Sequence, residues 1–189
     1  MKKILAAILC AGLVAVTAAG CGYTDALAEA KRAQNTTSAS QESQKETKPK
    51  EIKSTDYKNN LDGLVEYFDK KEYIANEEKN ITVMDAASIG AKQGKKFATS
   101  YDGKNISIEL YEYDTEKLND TANKIFNEIK SDGAFSVYNL PAVPAYISDN
   151  GKFMMVYTDA SISKDNPDKT AANYEHREQV IKDFKEFNK

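Results

Sequence analysis

Tryptophan is absent, histidine occurs once, and both cysteines, Cys10 and Cys21, fall at the start of the 189-residue chain. Each scarcity closes a class of chemistry. With no cysteine after position 21, the rest of the chain offers no disulfide, no thiolate nucleophile and no cysteine-based metal site. His176 alone would leave a zinc site dependent on carboxylates, which is unusual. The missing tryptophan removes the broadest platform for stacking on a sugar ring. Apolar runs long enough to span a bilayer repeatedly are also lacking, so a polytopic membrane protein is excluded. So is a large multidomain enzyme, by length alone. Basic residues are not in excess: 26 Lys and Arg face 29 Asp and Glu, for a net charge of −3. From Asp56 onward the balance is 18 basic to 24 acidic residues. An acidic segment without basic clusters does not attract DNA, RNA or an anionic membrane surface.

What is present begins with an address. Met1-Lys2-Lys3 is a short basic start, followed by an uncharged run from Ile4 to Gly22 that contains Thr17-Ala18-Ala19-Gly20-Cys21. A basic n-region, an apolar h-region and small residues before a cut site make a secretory signal. Small side chains matter there because a peptidase must grip the extended backbone closely. The cysteine directly after Ala-Gly resembles the lipobox of bacterial lipoproteins, although Ala18 stands where that motif usually has Leu. The resemblance covers about 22 residues and implies a signal peptide over 1–20. It also implies a diacylglyceryl group on Cys21, which would be the first mature residue. An uncleaved membrane anchor is the competing account, but six alanines and three glycines make the run weakly hydrophobic for a permanent span.

Residues 21–55 read as the lipidated cysteine and a tether. After Leu27 the segment holds almost no large apolar side chains, as in Asn35-Thr36-Thr37-Ser38-Ala39-Ser40-Gln41. It cannot bury enough surface to offset its ordering entropy. As a flexible coil it would hold its ends about 30–35 Å apart. Residues 56–189 then form one α+β domain, long enough to bury a core.

Tyr57, Leu61, Leu64 and Phe68 recur at helical spacing, with Thr55 as N-cap, and predict a leading helix. Gly63 weakens it. A short helix is expected over Met84–Ile89. The period then changes to two: Lys95–Tyr101 and Asn105–Tyr113 flank Asp102-Gly103, a tight hairpin turn. Ile106, Ile108 and Leu110 share one face, and Ser107, Glu109, Tyr111 and Tyr113 the other. A helix comes next over Thr115–Ser131, capped by Asp114 and stopped by Gly133. A second hairpin pairs Phe135–Ile147, interrupted by Pro141 and Pro144, with Phe153–Thr158 across Asp149-Asn150-Gly151. The strand at Phe153 is apolar on both faces and so central. A polar loop, Ser161–Thr170, leads to a last helix over Ala172–Phe187. The expectation is a mainly antiparallel sheet of about four strands in ββα-ββα order, with a leading helix and helices packed on the sheet.

Candidate chemistry is thin. His176 lies among Glu175, Arg177 and Glu178 on a helix and reads as a solvated residue. Asp159, Asp165 and Asp168 cluster oxygen ligands without the spacing of a calcium loop. Gly90 to Lys96 lacks the spacer and Lys-Ser/Thr of a phosphate loop. Ser161-x-x-Lys164 has no helix around it, and Glu109 and Glu112 point to opposite strand faces. No catalytic residue, metal site or cofactor is expected. The candidate ligand-binding residues are Tyr111 and Tyr113, which form an exposed aromatic patch if their face is open and ordinary core if the last helix covers it.

Signal, tether and small acidic domain together resemble the small lipoproteins of Gram-positive bacteria. That resemblance implies anchoring through the lipid on Cys21 to the cell membrane, facing its extracytoplasmic side, and no particular activity. The leading expectation is a non-catalytic module that binds a protein, peptide or wall ligand. The alternative is an envelope enzyme or enzyme accessory using carboxylates and hydroxyls. About 134 residues are too few for a solute receptor whose two lobes close on a ligand.

Overall fold

The computed structural model describes residues 51–138 and 140–189. The expected signal peptide, Cys21 and the tether up to residue 50 lie outside the described residues. The architecture is α+β. A five-stranded antiparallel sheet is built from β1 (Ile81–Val83), β2 (Gln93–Tyr101), β3 (Lys104–Glu112), β6 (Tyr146–Ile147) and β7 (Phe153–Asp159). Its spatial order is β1-β2-β3-β7-β6, and β4 (Ala134–Phe135) with β5 (Val143–Pro144) makes a separate two-stranded arm.

Three helices pack on the sheet: α1 (Leu61–Lys70), α2 (Asp120–Asp132) and α3 (Ala172–Lys185). Helix α1 starts later than expected, because Asn60 rather than Thr55 caps it. The Asn60 side chain accepts the Gly63 N–H at 2.9 Å, and Thr55 sits in a 3-10 turn over Ser54–Asp56. Gly63 is required by space: a Cβ there would lie 2.0 Å from the Lys58 carbonyl oxygen. Helix α2 likewise starts at Asp120, because Asn119 accepts the Ala122 N–H at 2.9 Å while Asp114 serves only the Glu116 N–H. Gly133, at φ 69°, ends α2 as expected. Met84–Ile89 shortens to a 3-10 turn over Ala86–Ile89, and the three-residue edge strand β1 adds to the expected sheet.

The Asp102-Gly103 turn takes positive φ at both residues, 47° and 69°, which matches the right-handed twist of β2 and β3. Strand β7 is buried on both faces, as its unbroken apolar run requires. Ile106, Ile108 and Leu110 with Phe153 and Met155 face α1 and α3, including Leu64, Phe68, Val180 and Phe184. The other face carries Tyr111, Tyr113, Met154 and Val156 against Ala122, Ile125 and Phe126 of α2. The ββα order does recur, as β2-β3-α2 and β6-β7-α3. Its two helices nevertheless lie on opposite faces of the sheet, so no single twofold axis relates the halves.

Buried charge ties distant elements together. Glu112, 2 % exposed, accepts the Leu61 N–H at 2.9 Å and the Gln93 amide at 2.7 Å, with the Lys152 ammonium at 3.4 Å. It thereby meets the N-terminus of α1, where a negative charge is favoured. Asp183 of α3 similarly accepts from Tyr73 at 2.5 Å, Lys71 at 2.9 Å and Gln179 at 3.0 Å.

Candidate functional site

The strand expected from Phe135 to Ile147 is broken where its prolines predict. Neither Pro141 nor Pro144 has an N–H to give to a ladder. The chain leaves α2 at Gly133, runs out and returns so that β4 pairs with β5, Phe135 opposite Val143. It rejoins the sheet only at β6, which meets Met155 and Met154 of β7. Among the described residues, no strand therefore pairs with the outer edge of β7 from Val156 to Asp159. A cleft of about 480 Å³ lies there, between the proline arm, the loop after β7 and α3.

Its lining is apolar along Pro141, Val143, Pro144, Ile162 and Pro167 and polar at Tyr157, Thr158, Asp159, Ser163, Lys164 and Arg177. Tyr157 is 6 % exposed, yet its hydroxyl has no hydrogen-bond partner among the described residues. Burial raises its pKa well above the usual tyrosine value; Asp159 adds to the rise and Arg177 opposes it. The hydroxyl is thus a protonated, unused donor. Such a group is rare in a folded protein, since an unmet buried polar atom costs about 1–3 kcal/mol.

Arg177 reaches the cleft from the first half of α3. Its Nε and Nη2 donate to Glu178 at 3.1 and 2.9 Å, and its guanidinium lies 4.5 Å over the Tyr174 ring. These contacts leave Nη1 without a partner among the described residues. Lys164 makes no ion pair among the described residues. Asp159 is occupied: one oxygen accepts the Ser161 N–H at 2.8 Å and its hydroxyl at 2.6 Å, and the other accepts Asn173 at 3.2 Å. Burial would raise the Asp159 pKa, but these bonds and Lys104 hold it below the ordinary carboxylate range.

The residues singled out by the sequence lie on the other side of the sheet. Tyr113 is 1 % exposed, with its ring 4.7 Å from Phe126 and its hydroxyl on the Met154 sulfur at 3.7 Å. Tyr111 is buried too, and its hydroxyl donates to Glu109 at 2.8 Å. Gly94 makes room for that ring, since a Cβ there would sit 2.5 Å from it. The pair forms core rather than an open patch, and the covering helix is α2, not the last helix. Tyr111 still borders a recess of about 440 Å³ beside Glu109, Asp85 and Ser88, where Lys96 pairs with Glu109 at 3.0 Å.

The remaining candidates are engaged structurally. His176 is half-buried rather than solvated: it stacks on Tyr101 at 3.8 Å and 7°, and meets the edge of Tyr73 at 5.6 Å. Burial lowers its pKa, with Asp159 opposing. The Ser161 hydroxyl belongs to Asp159 and Asn173, not to Lys164. Asp168 closes its own turn onto Thr170. Glu109 and Glu112 lie on opposite faces, as strand geometry demands. Among the described residues no cluster of three or more His, Cys, Asp or Glu could hold a metal ion, and no helix is long and apolar enough to cross a membrane.

Sequence reasoning missed Tyr157, Arg177 and Lys164, which are separated by loops and a strand edge. One signal was available: Arg177 is the only arginine after Arg32. No protein-family model matches the chain, nor does any curated protein or solved structure.

Proposed function

We propose that the protein is a lipid-anchored, extracytoplasmic lipoprotein whose folded part is a non-catalytic binding module. Its ligand enters the cleft between the proline arm and α3. The observation that carries the binding role is the buried, unpartnered Tyr157 hydroxyl beside Arg177 in a cleft of ligand-sized volume. The carboxylates support binding over acid–base chemistry. Glu112, Asp159 and Asp183 are each saturated by fixed donors that hold their pKa values below the ordinary range, the opposite of a poised general base. The basic start and the Ala-Gly-Cys21 junction support the anchor, and two acyl chains would hold it stably.

Labelled palmitate fed to cells making the full chain tests the anchor. Label should enter the wild type, be lost in Cys21→Ala, and accompany the protein into the membrane fraction. A wild-type protein that takes up no label and fractionates with cytosol refutes it. The binding role is tested by thermal-shift measurements of wild type and an Ala142→Trp variant against peptides, wall fragments and sugars. A shift seen in wild type and abolished by filling the cleft is expected.

A further inference from the structure

We infer that the cleft recognises a monocarboxylate carried on an apolar body, with the carboxylate on Arg177 and the Tyr157 hydroxyl and the body against the proline arm. The inference rests on the cleft being the ligand site proposed above, and adds the chemistry of its occupant.

The donors are the Tyr157 hydroxyl, Arg177 and Lys164, while the one carboxylate in the lining, Asp159, already accepts from Ser161 and Asn173. The Tyr157 hydroxyl is protonated and unpartnered on a residue that lines the cleft, with the charged groups Asp159 and Arg177 of the same lining acting on it. It has no surface open to solvent, so it donates to a ligand that displaces its cover. Arg177 presents a free Nη1, with its guanidinium plane held by Tyr174 and by Glu178. A planar fork so fixed is suited to a carboxylate, and the order it already has lowers the entropy lost on binding.

Charge selects against a dianion. Arg177 is partly neutralised by Glu178, and Asp159 lines the same cleft with its carboxylate ionised. Lys164 adds one cation at the rim. With Arg177 and Lys164 offset by Glu178 and Asp159 there is no surplus positive charge, so the second charge of a phosphate would meet more repulsion than a single carboxylate does. Most of the remaining lining is apolar: Pro141 and Pro144 lack N–H groups and Val143, Ile162 and Pro167 carry apolar side chains, with hydroxyls only at Tyr146, Thr158 and Ser163, so an apolar body is favoured behind the carboxylate. A peptide C-terminus with an apolar last residue and a free branched-chain acid share this chemistry.

Isothermal titration calorimetry on the full chain tests it, with heats into protein-free buffer subtracted. The probes are N-acetyl-valyl-leucine, its C-terminal amide, isocaproate and inorganic phosphate. The acid dipeptide or isocaproate should bind, whichever is tighter naming the source. The amide and phosphate should bind at least about tenfold more weakly than the better acid. Arg177→Gln should weaken that acid about tenfold or more. Tyr157→Phe should weaken it several-fold while leaving the unfolding midpoint of the free protein unchanged or slightly raised, which separates a lost ligand contact from a damaged core. Ala142→Trp distinguishes the two levels of the argument. If acid and amide bind alike and Ala142→Trp abolishes both, the cleft is the site and the carboxylate inference is overturned. If a probe binds and Ala142→Trp leaves it unaffected, the cleft itself is refuted. Binding of none of the probes, or phosphate equal to the acids, overturns the inference.

Discussion

Replacing Glu112 by Gln should destabilise the protein by about 2–4 kcal/mol at pH 7, and the effect should fade in acid. Glu112 is 2 % exposed, and its Oε2 accepts both the first amide of α1 and the Gln93 side chain. Its Oε1 faces the Lys152 ammonium at 3.4 Å and Lys92 at 4.0 Å. Glutamine keeps the shape and one acceptor but loses the charge, and its amide presents donors to the lysines. Hydrogen bonds to a charged group contribute roughly 1.5–3 kcal/mol each, and breaking a buried ion pair from one side costs about 3–5 kcal/mol. Lys152 retains the Asn59 carbonyl and partial exposure, which places the expected loss below the sum of those values. The pH dependence comes from the sign of the shift. Burial would raise the Glu112 pKa, but the Leu61 and Gln93 bonds, with Lys152 and Lys92, hold it below the ordinary value. A carboxyl with a depressed folded pKa stabilises fully above its unfolded value, about 4.3. That contribution is lost as pH falls through the lower, folded value. Urea denaturation of wild type and Glu112→Gln at pH 7 and at about pH 3 reads the difference directly. A gap under about 0.5 kcal/mol at pH 7, or one of equal size at both pH values, would refute the reasoning.

The same contacts set three further expectations. Gly63→Ala should destabilise by about 2 kcal/mol or more in a urea melt, because its methyl would meet the Lys58 carbonyl and force the cap of α1 open; an unchanged midpoint would show that the loop yields freely. Tyr73→Phe should cost about 1–2 kcal/mol through the lost bond to Asp183, whereas Tyr157→Phe should cost nothing or stabilise slightly. Equal losses in the two variants would contradict the assignment of Tyr157 as unpartnered. His176 should titrate below its usual value of 6.5 by NMR, because burial disfavours its charged form more than Asp159 favours it. Since its folded pKa is depressed, stability should fall as pH drops through the window below 6.5, and His176→Phe should flatten that slope.

Much of the local structure was legible because its causes are local. Asp102-Gly103 meets the positive φ of a tight turn, Gly133 the left-handed stop of α2, and Ile106-x-Ile108-x-Leu110 one pleated face. Helix starts were less so. Asn60 and Asn119 each won over an equally plausible cap, Thr55 and Asp114, since capping depends on where the preceding loop delivers the chain. Strand β1 is only three residues long and exists because β2 offers it an edge.

The composition and order of residues settled the α+β class, the Asp102-Gly103 hairpin and the polar character of the Ser161–Thr170 loop, all of which depend on spacings within a few positions. Tertiary structure alone decided which helix covers which face. The apolar stripes of α2 and α3 are interchangeable in chemistry, and only the path of the connecting loops sends α2 over Tyr111 and Tyr113. It also decided where polar groups are left without partners. Glu112 found donors from residues 61, 93 and 152, and Tyr157 found none, because hydrogen bonding is satisfied in space and not along the chain.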